Sequence, residues 1–103
     1  MTLEEALEKL EEYRLQIDEV DRGIVALLNE RTKVVEEIGR VKREAQLPIY
    51  EPRREELVFR NVTESNRGPL AKEAMRRVFE RIIDEMRTIQ RLRMEEERDG
   101  GRP

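Results

Sequence analysis

With 103 residues, 44% of them charged and only 37% hydrophobic, the chain has the size of one domain and the make-up of a charged helical protein. It holds neither cysteine nor histidine, which excludes disulfides, ordinary zinc sites, thiolate nucleophiles and imidazole bases. Its 24 acidic against 21 basic residues, a net charge of −3, give no general attraction to nucleic acid.

The N-terminal stretch MTLEEALEKLEEY is acidic and periodic, unlike a signal or transit peptide. The longest apolar run, Ile24-Val25-Ala26-Leu27-Leu28, is too short to span a bilayer. The reading is therefore a cytoplasmic protein with no membrane or nucleic-acid partner.

Steps of three and four from Leu3 trace one helical seam: Leu7, Leu10, Ile17, Ile24, Leu28, Val35 and Ile38 all fall on it. No proline interrupts before Pro48, so helix 1 is expected over about 3–45. Leu47-Pro48 ends it, because a residue before proline is pushed out of the α region. Pro52 suits the first position of helix 2, which runs to about Glu64 with Leu57, Val58 and Val62 inward. Ser65-Asn66-Arg67-Gly68-Pro69 is a turn. Helix 3 follows over about 70–96, with an apolar side that includes Val78, Phe79, Ile82, Ile83, Met86 and Ile89. A domain over 1–97 and a frayed, flexible tail over 98–103 complete the reading.

Helix 1 is about 64 Å long at 1.5 Å per residue, whereas a compact chain of this size has a radius of gyration of about 13 Å. Two shorter helices cannot wrap it, so its seam calls for a second copy. The expected fold is all-α, with three helices per chain, one very long, in an intertwined helical homodimer.

Four polar residues interrupt the seam: Arg14, Asp21, Arg31 and Lys42. Asp21 reads as a helix–helix polar contact. The three cations are costly to bury unless an anion joins them. Arg31 and Lys42 lie about 16 Å apart along the axis and about 20° apart around it, within reach of one small anionic metabolite. Arg14 lies about 42 Å from Lys42 on the same helix, so it can join that site only from an antiparallel partner chain. The alternative is cations that merely extend their charge from the seam's edge. Gln90, at the edge of the helix 3 seam, is either a core hydrogen-bonder or a ligand donor. The cluster Arg53-Arg54-Glu55-Glu56 reads as a solvated first turn with local ion pairs. The arginines at 76, 77, 81, 87, 91 and 93 read as helix 3's wet face.

The spaced residues Arg14, Ile17-Asp18, Asp21, Ile24, Leu27-Leu28 and Glu30-Arg31 resemble the N-terminal signature of the all-helical chorismate mutase family. So do Ile38-Gly39-x-x-Lys42, Pro48-x-Tyr50-Glu51-Pro52-x-Arg54-Glu55, and a closing Phe79-x-x-Ile82-Ile83-x-Glu85-x-Arg87-x-x-Gln90. The resemblance covers about residues 5–93. It implies rearrangement of chorismate to prephenate in aromatic amino-acid biosynthesis, by an intertwined homodimer and without metal or cofactor. Arg31, with Arg14 of the partner chain, would hold the substrate carboxylates, and Lys42 and Gln90 would face the ether oxygen as catalytic groups. Glu55 and the region of Glu51 would meet the ring hydroxyl, with Arg54 supporting that wall. Glu51 stands where an Asp is usual and makes a poorer cap. Met86 replaces a common Ser and is given no binding role.

Two other functions fit the same residues. An isochorismate pyruvate-lyase would use a similar cationic pocket, although the segment from Pro48 to Glu55 looks more like the mutases. A regulatory module that docks on another enzyme of the aromatic pathway is the second. A plain coiled coil fits worst, since it would gain stability from apolar residues at the seam cations.

Overall fold

The computed structural model describes residues 1–100. Among them are three helices: α1 over Leu3–Glu44, α2 over Pro52–Ser65 and α3 over Lys72–Gly100. The all-helical architecture is as expected from periodicity. Helix α3 continues through Gly100, past the boundary expected at residue 97, and residues 101–103 of the tail lie outside the described residues.

Each helix end has a local cause. The backbone N–H of Glu5 donates to the Thr2 hydroxyl oxygen at 3.1 Å, and the Thr2 N–H donates to the Glu5 carboxylate at 3.4 Å. This reciprocal capping box satisfies donors at the start of α1. At its other end Gln46 takes a left-handed φ of 57°, the Leu47 N–H donates to the Lys42 carbonyl at 2.8 Å, and the Gln46 N–H to Arg43 at 3.3 Å. These two bonds form a Schellman motif, with glutamine in the position that usually takes glycine. Pro52 opens α2 with Glu51 at its N-cap. In the turn to α3 the Asn66 side chain accepts from the Gly68 N–H and donates to the Leu70 carbonyl. The Gly68–Pro69 peptide is cis.

The chain divides into two compact units, Met1–Val34 and a second that begins at Val35. In the first unit the helix leaves its apolar stripe uncovered: Leu3, Leu7, Leu10, Ile17 and Ile24 are all exposed. In the second, α2 packs on α3 and the buried apolar residues are Val35, Phe59, Ile83 and Met86. The inward face of α2 agrees with the expected one at Val58 and Val62, both half-buried, and differs elsewhere. Phe59 is its buried residue, whereas Leu57 is exposed. Stepping from Glu55 by three and four through Val58, Phe59, Val62 and Thr63 finds that face, and each of these residues is at least half-buried.

Candidate active site

Lys42 lies in the last turn of α1, where a cation also complements the helix dipole. The residue is buried, 9% exposed. Its Nζ lies 2.6 Å from Glu51 Oε1 and donates to the Ile49 carbonyl at 3.0 Å. The expectation that the seam cations lack an anion in their own chain is therefore corrected for Lys42: Glu51 supplies it. An ammonium has three N–H donors, so two are engaged and one is left to meet a ligand. The pairing also explains why Glu51 makes no side-chain capping bond to α2. Its carboxylate is turned to the lysine instead.

Gln90 is likewise buried, at 8% exposed. Its Nε2 donates to the Val35 carbonyl at 3.4 Å, which defines which end of the amide is nitrogen. One N–H and the amide oxygen are left for other partners. Gln90 packs against α1 beside Gly39. A methyl carbon placed there would lie 3.4 Å from Gln90 Cγ and 3.2 Å from Arg43 Nη1. Gln90 thus rests on the turn of α1 that precedes Lys42.

Glu55 faces α3, not its own first turn. Its Oε2 lies 3.4 Å from Arg87 Nε, and its side chain is only 20% exposed. Glu56 also reaches α3, pairing with Arg76 at 3.3 Å, and the Arg76 guanidinium sits 4.2 Å from the centre of the Phe59 ring. The local-pair reading of Glu55 and Glu56, and the wet-face reading of Arg87, are corrected accordingly, while Arg76 stays exposed as expected and also pairs with Glu80 on its own helix. For Arg87 the signal was present in the sequence. Ile83, Met86, Arg87, Gln90 and Met94 follow the helical spacing of a single stripe, and Ile83, Met86 and Gln90 are buried.

Arg54 is exposed on the first turn of α2. Arg14 and Arg31 belong to the first unit, Arg14 exposed and Arg31 half-buried. Asp21 is exposed. Among the described residues no group of three or more acidic side chains is placed to hold a metal ion, and no helix is long and apolar enough to cross a membrane. What the second unit offers chemically is a buried lysine, an oriented amide and carboxylates already paired with cations.

An all-helical domain that encloses a lysine and an amide beside a small apolar core is more than a helical bundle, and its relatives say which kind. The sequence profile described as chorismate mutase type II matches residues 13–91. A bifunctional chorismate mutase/prephenate dehydratase of Aquifex aeolicus is 38% identical over 81 residues, 75% of this chain. The chain spans only 22% of that relative's length. A chorismate mutase of Methanocaldococcus jannaschii is 28% identical over 91 residues, covering 87% of this chain and 92% of its own. Among solved structures, a chorismate mutase (form II) of Thermus thermophilus superimposes with a TM-score of 0.78 at 36% identity, over 81% of this chain and 94% of that one. The chain belongs to the chorismate mutase type II family.

Proposed function

We propose that the chain, like the relatives named chorismate mutase, acts on chorismate and rearranges it to prephenate. The observation that carries the reading is the buried Lys42, engaged by the Glu51 carboxylate and the Ile49 carbonyl with one N–H still available. A [3,3] rearrangement breaks the ether C–O bond as it forms a C–C bond, and no proton moves. It needs no nucleophile, base or cofactor, which suits a chain without histidine or cysteine. It needs the substrate held in a chair-like pose and the negative charge growing on the ether oxygen stabilised.

In this reading Lys42 and the free N–H of Gln90 donate to that oxygen. One preorganised donor is worth about 3–4 kcal/mol, so two supply most of the roughly 8 kcal/mol behind a millionfold acceleration. Both are fixed before substrate arrives, Lys42 by Glu51 and Gln90 by Val35 and Gly39, so little reorganisation is required. Arg31, with Arg14 of a second copy, takes the two carboxylates. Glu55 accepts from the ring hydroxyl, with Glu51 and Arg54 beside it.

We infer a homodimer from the uncovered stripe of the first unit. A helix of this kind draws most of its stability from packing an apolar face, and a second copy provides that cover. Docking to, or fusion with, another enzyme of the aromatic pathway is supported by the bifunctional relatives, of which this chain spans a small part. The decisive experiment incubates the purified protein with chorismate, and in parallel isochorismate, and identifies the product. Prephenate supports the mutase, pyruvate from isochorismate supports the lyase, and loss of neither substrate leaves a docking module.

A further inference from the structure

Arg87 is held on three sides. Its Nη2 lies 2.5 Å from Asp84 Oδ1, one turn earlier on α3. Its Nε is shut off from solvent without a hydrogen-bond partner and lies 3.4 Å from Glu55 Oε2, an ion pair rather than a directed hydrogen bond. Its guanidinium carbon sits 5.4 Å from the centre of the Tyr50 ring. Tyr50 and Glu55 flank Glu51, whose carboxylate pairs with Lys42. The segment 49–55 is thus tied from two helices, by Lys42 of α1 at Ile49 and Glu51, and by Arg87 of α3 at Tyr50 and Glu55.

We propose that Arg87 is a positioning residue that holds Glu55 in place and offsets its charge, so that this wall of the pocket accepts an anionic substrate. The proposal rests on the mutase reading, in which Glu55 meets the ring hydroxyl of a dicarboxylate. Two carboxylates, Glu51 and Glu55, then stand close to a dianion. Lys42 compensates the first and Arg87 the second. Asp84 holds the guanidinium through Nη2, which keeps its charge beside Glu55. A flexible ammonium does not reproduce that planar geometry. The Arg87 side chain is 37% exposed, and ion pairs at such exposure add little to stability. The consequence of losing it falls on substrate binding rather than on folding.

The test is a double-mutant cycle on steady-state kinetics with chorismate, using Arg87→Met, Glu55→Gln and the pair, with Arg87→Lys as a fourth variant. Arg87→Met is expected to raise KM about tenfold with kcat within about twofold, the pattern of lost uniform binding. Arg87→Lys recovers part of the loss, because it restores charge without the fork. The pair is no worse than Glu55→Gln alone, since Arg87 acts through Glu55. A merely structural arginine would instead give additive losses in the cycle, and that result overturns the proposal. So does an unchanged KM in Arg87→Met. Thermal melts accompany each variant, and if Arg87→Met fails to fold, a wild-type KM in Arg87→Lys refutes the need for the fork. A wild-type protein that leaves chorismate intact defeats the mutase reading itself, a result visible before any variant is made.

Discussion

Lys42 and Glu51 stand 2.6 Å apart, joining the last turn of α1 to the residue that caps α2, yet they are not equivalent partners. The lysine side chain is 11% exposed and the glutamate 48%. Removing the glutamate strands a buried cation, whereas removing the lysine leaves a carboxylate that water can still reach. Glu51→Ala is therefore expected to lower unfolding free energy by about 1–3 kcal/mol, and Lys42→Ala by less than Glu51→Ala. Urea titrations of the two variants rank them directly, and the reverse order contradicts the burial argument.

Catalysis should rank the same two residues the other way. Lys42→Ala is expected to lower kcat for chorismate at least about a hundredfold, the usual loss for one oxyanion donor. Gln90→Ala should also slow the chemical step. Near-normal turnover in Lys42→Ala removes the lysine from the mechanism.

Gly39 offers a graded probe of the Gln90 amide. In Gly39→Ala the added methyl meets Gln90 Cγ at ordinary contact distance, and only the mobile end of Arg43 must yield by a few tenths of an ångström. The helix gains about 1 kcal/mol of propensity, so stability should hold or rise slightly. Gly39→Leu places further carbons where Gln90 now lies, and kcat should fall toward that of Gln90→Ala. If Gly39→Leu retains full turnover in a folded protein, the packing of Gln90 on α1 does not matter to the reaction.

Gln46 provides a test of stability away from the cluster. It adopts a left-handed φ of 57° to close the Schellman motif, at a cost of about 1 kcal/mol for a residue with a Cβ. Gln46→Gly should raise the unfolding free energy by about 1 kcal/mol with activity unchanged. A fall in stability shows that the end of α1 is formed differently.

The proposed shared site predicts rescue between inactive chains. Arg14→Ala and Lys42→Ala are each expected to be nearly inactive. After subunit exchange about half of the dimers are mixed, and each mixed dimer has one complete pocket by two-fold symmetry. Activity should then recover to about a quarter of wild type. Sedimentation tests the assembly itself, since a compact, folded monomer at micromolar concentration is incompatible with the dimer.

Much of this protein was determined by its sequence alone. The three-and-four spacing from Leu3 to Lys42, the prolines at 48 and 52 and the turn around Gly68 delimit three helices, because periodicity and backbone restriction are local properties. The same spacing drew attention to Lys42, and the motif ending at Gln90 pointed to the family. Which charges meet was decided only by the tertiary structure. Glu51 looked like a weak cap and is the counter-ion of Lys42. Glu55 and Glu56 looked like members of a local ion-pair cluster and reach across to α3. Arg87 looked like one wet arginine among six, and Phe59 was not expected on the inner face of α2. Helical spacing determines which residues share a face, but not how two faces meet. A long charged side chain can reach in several directions from the same Cα, and its partner is chosen by the packing of whole helices.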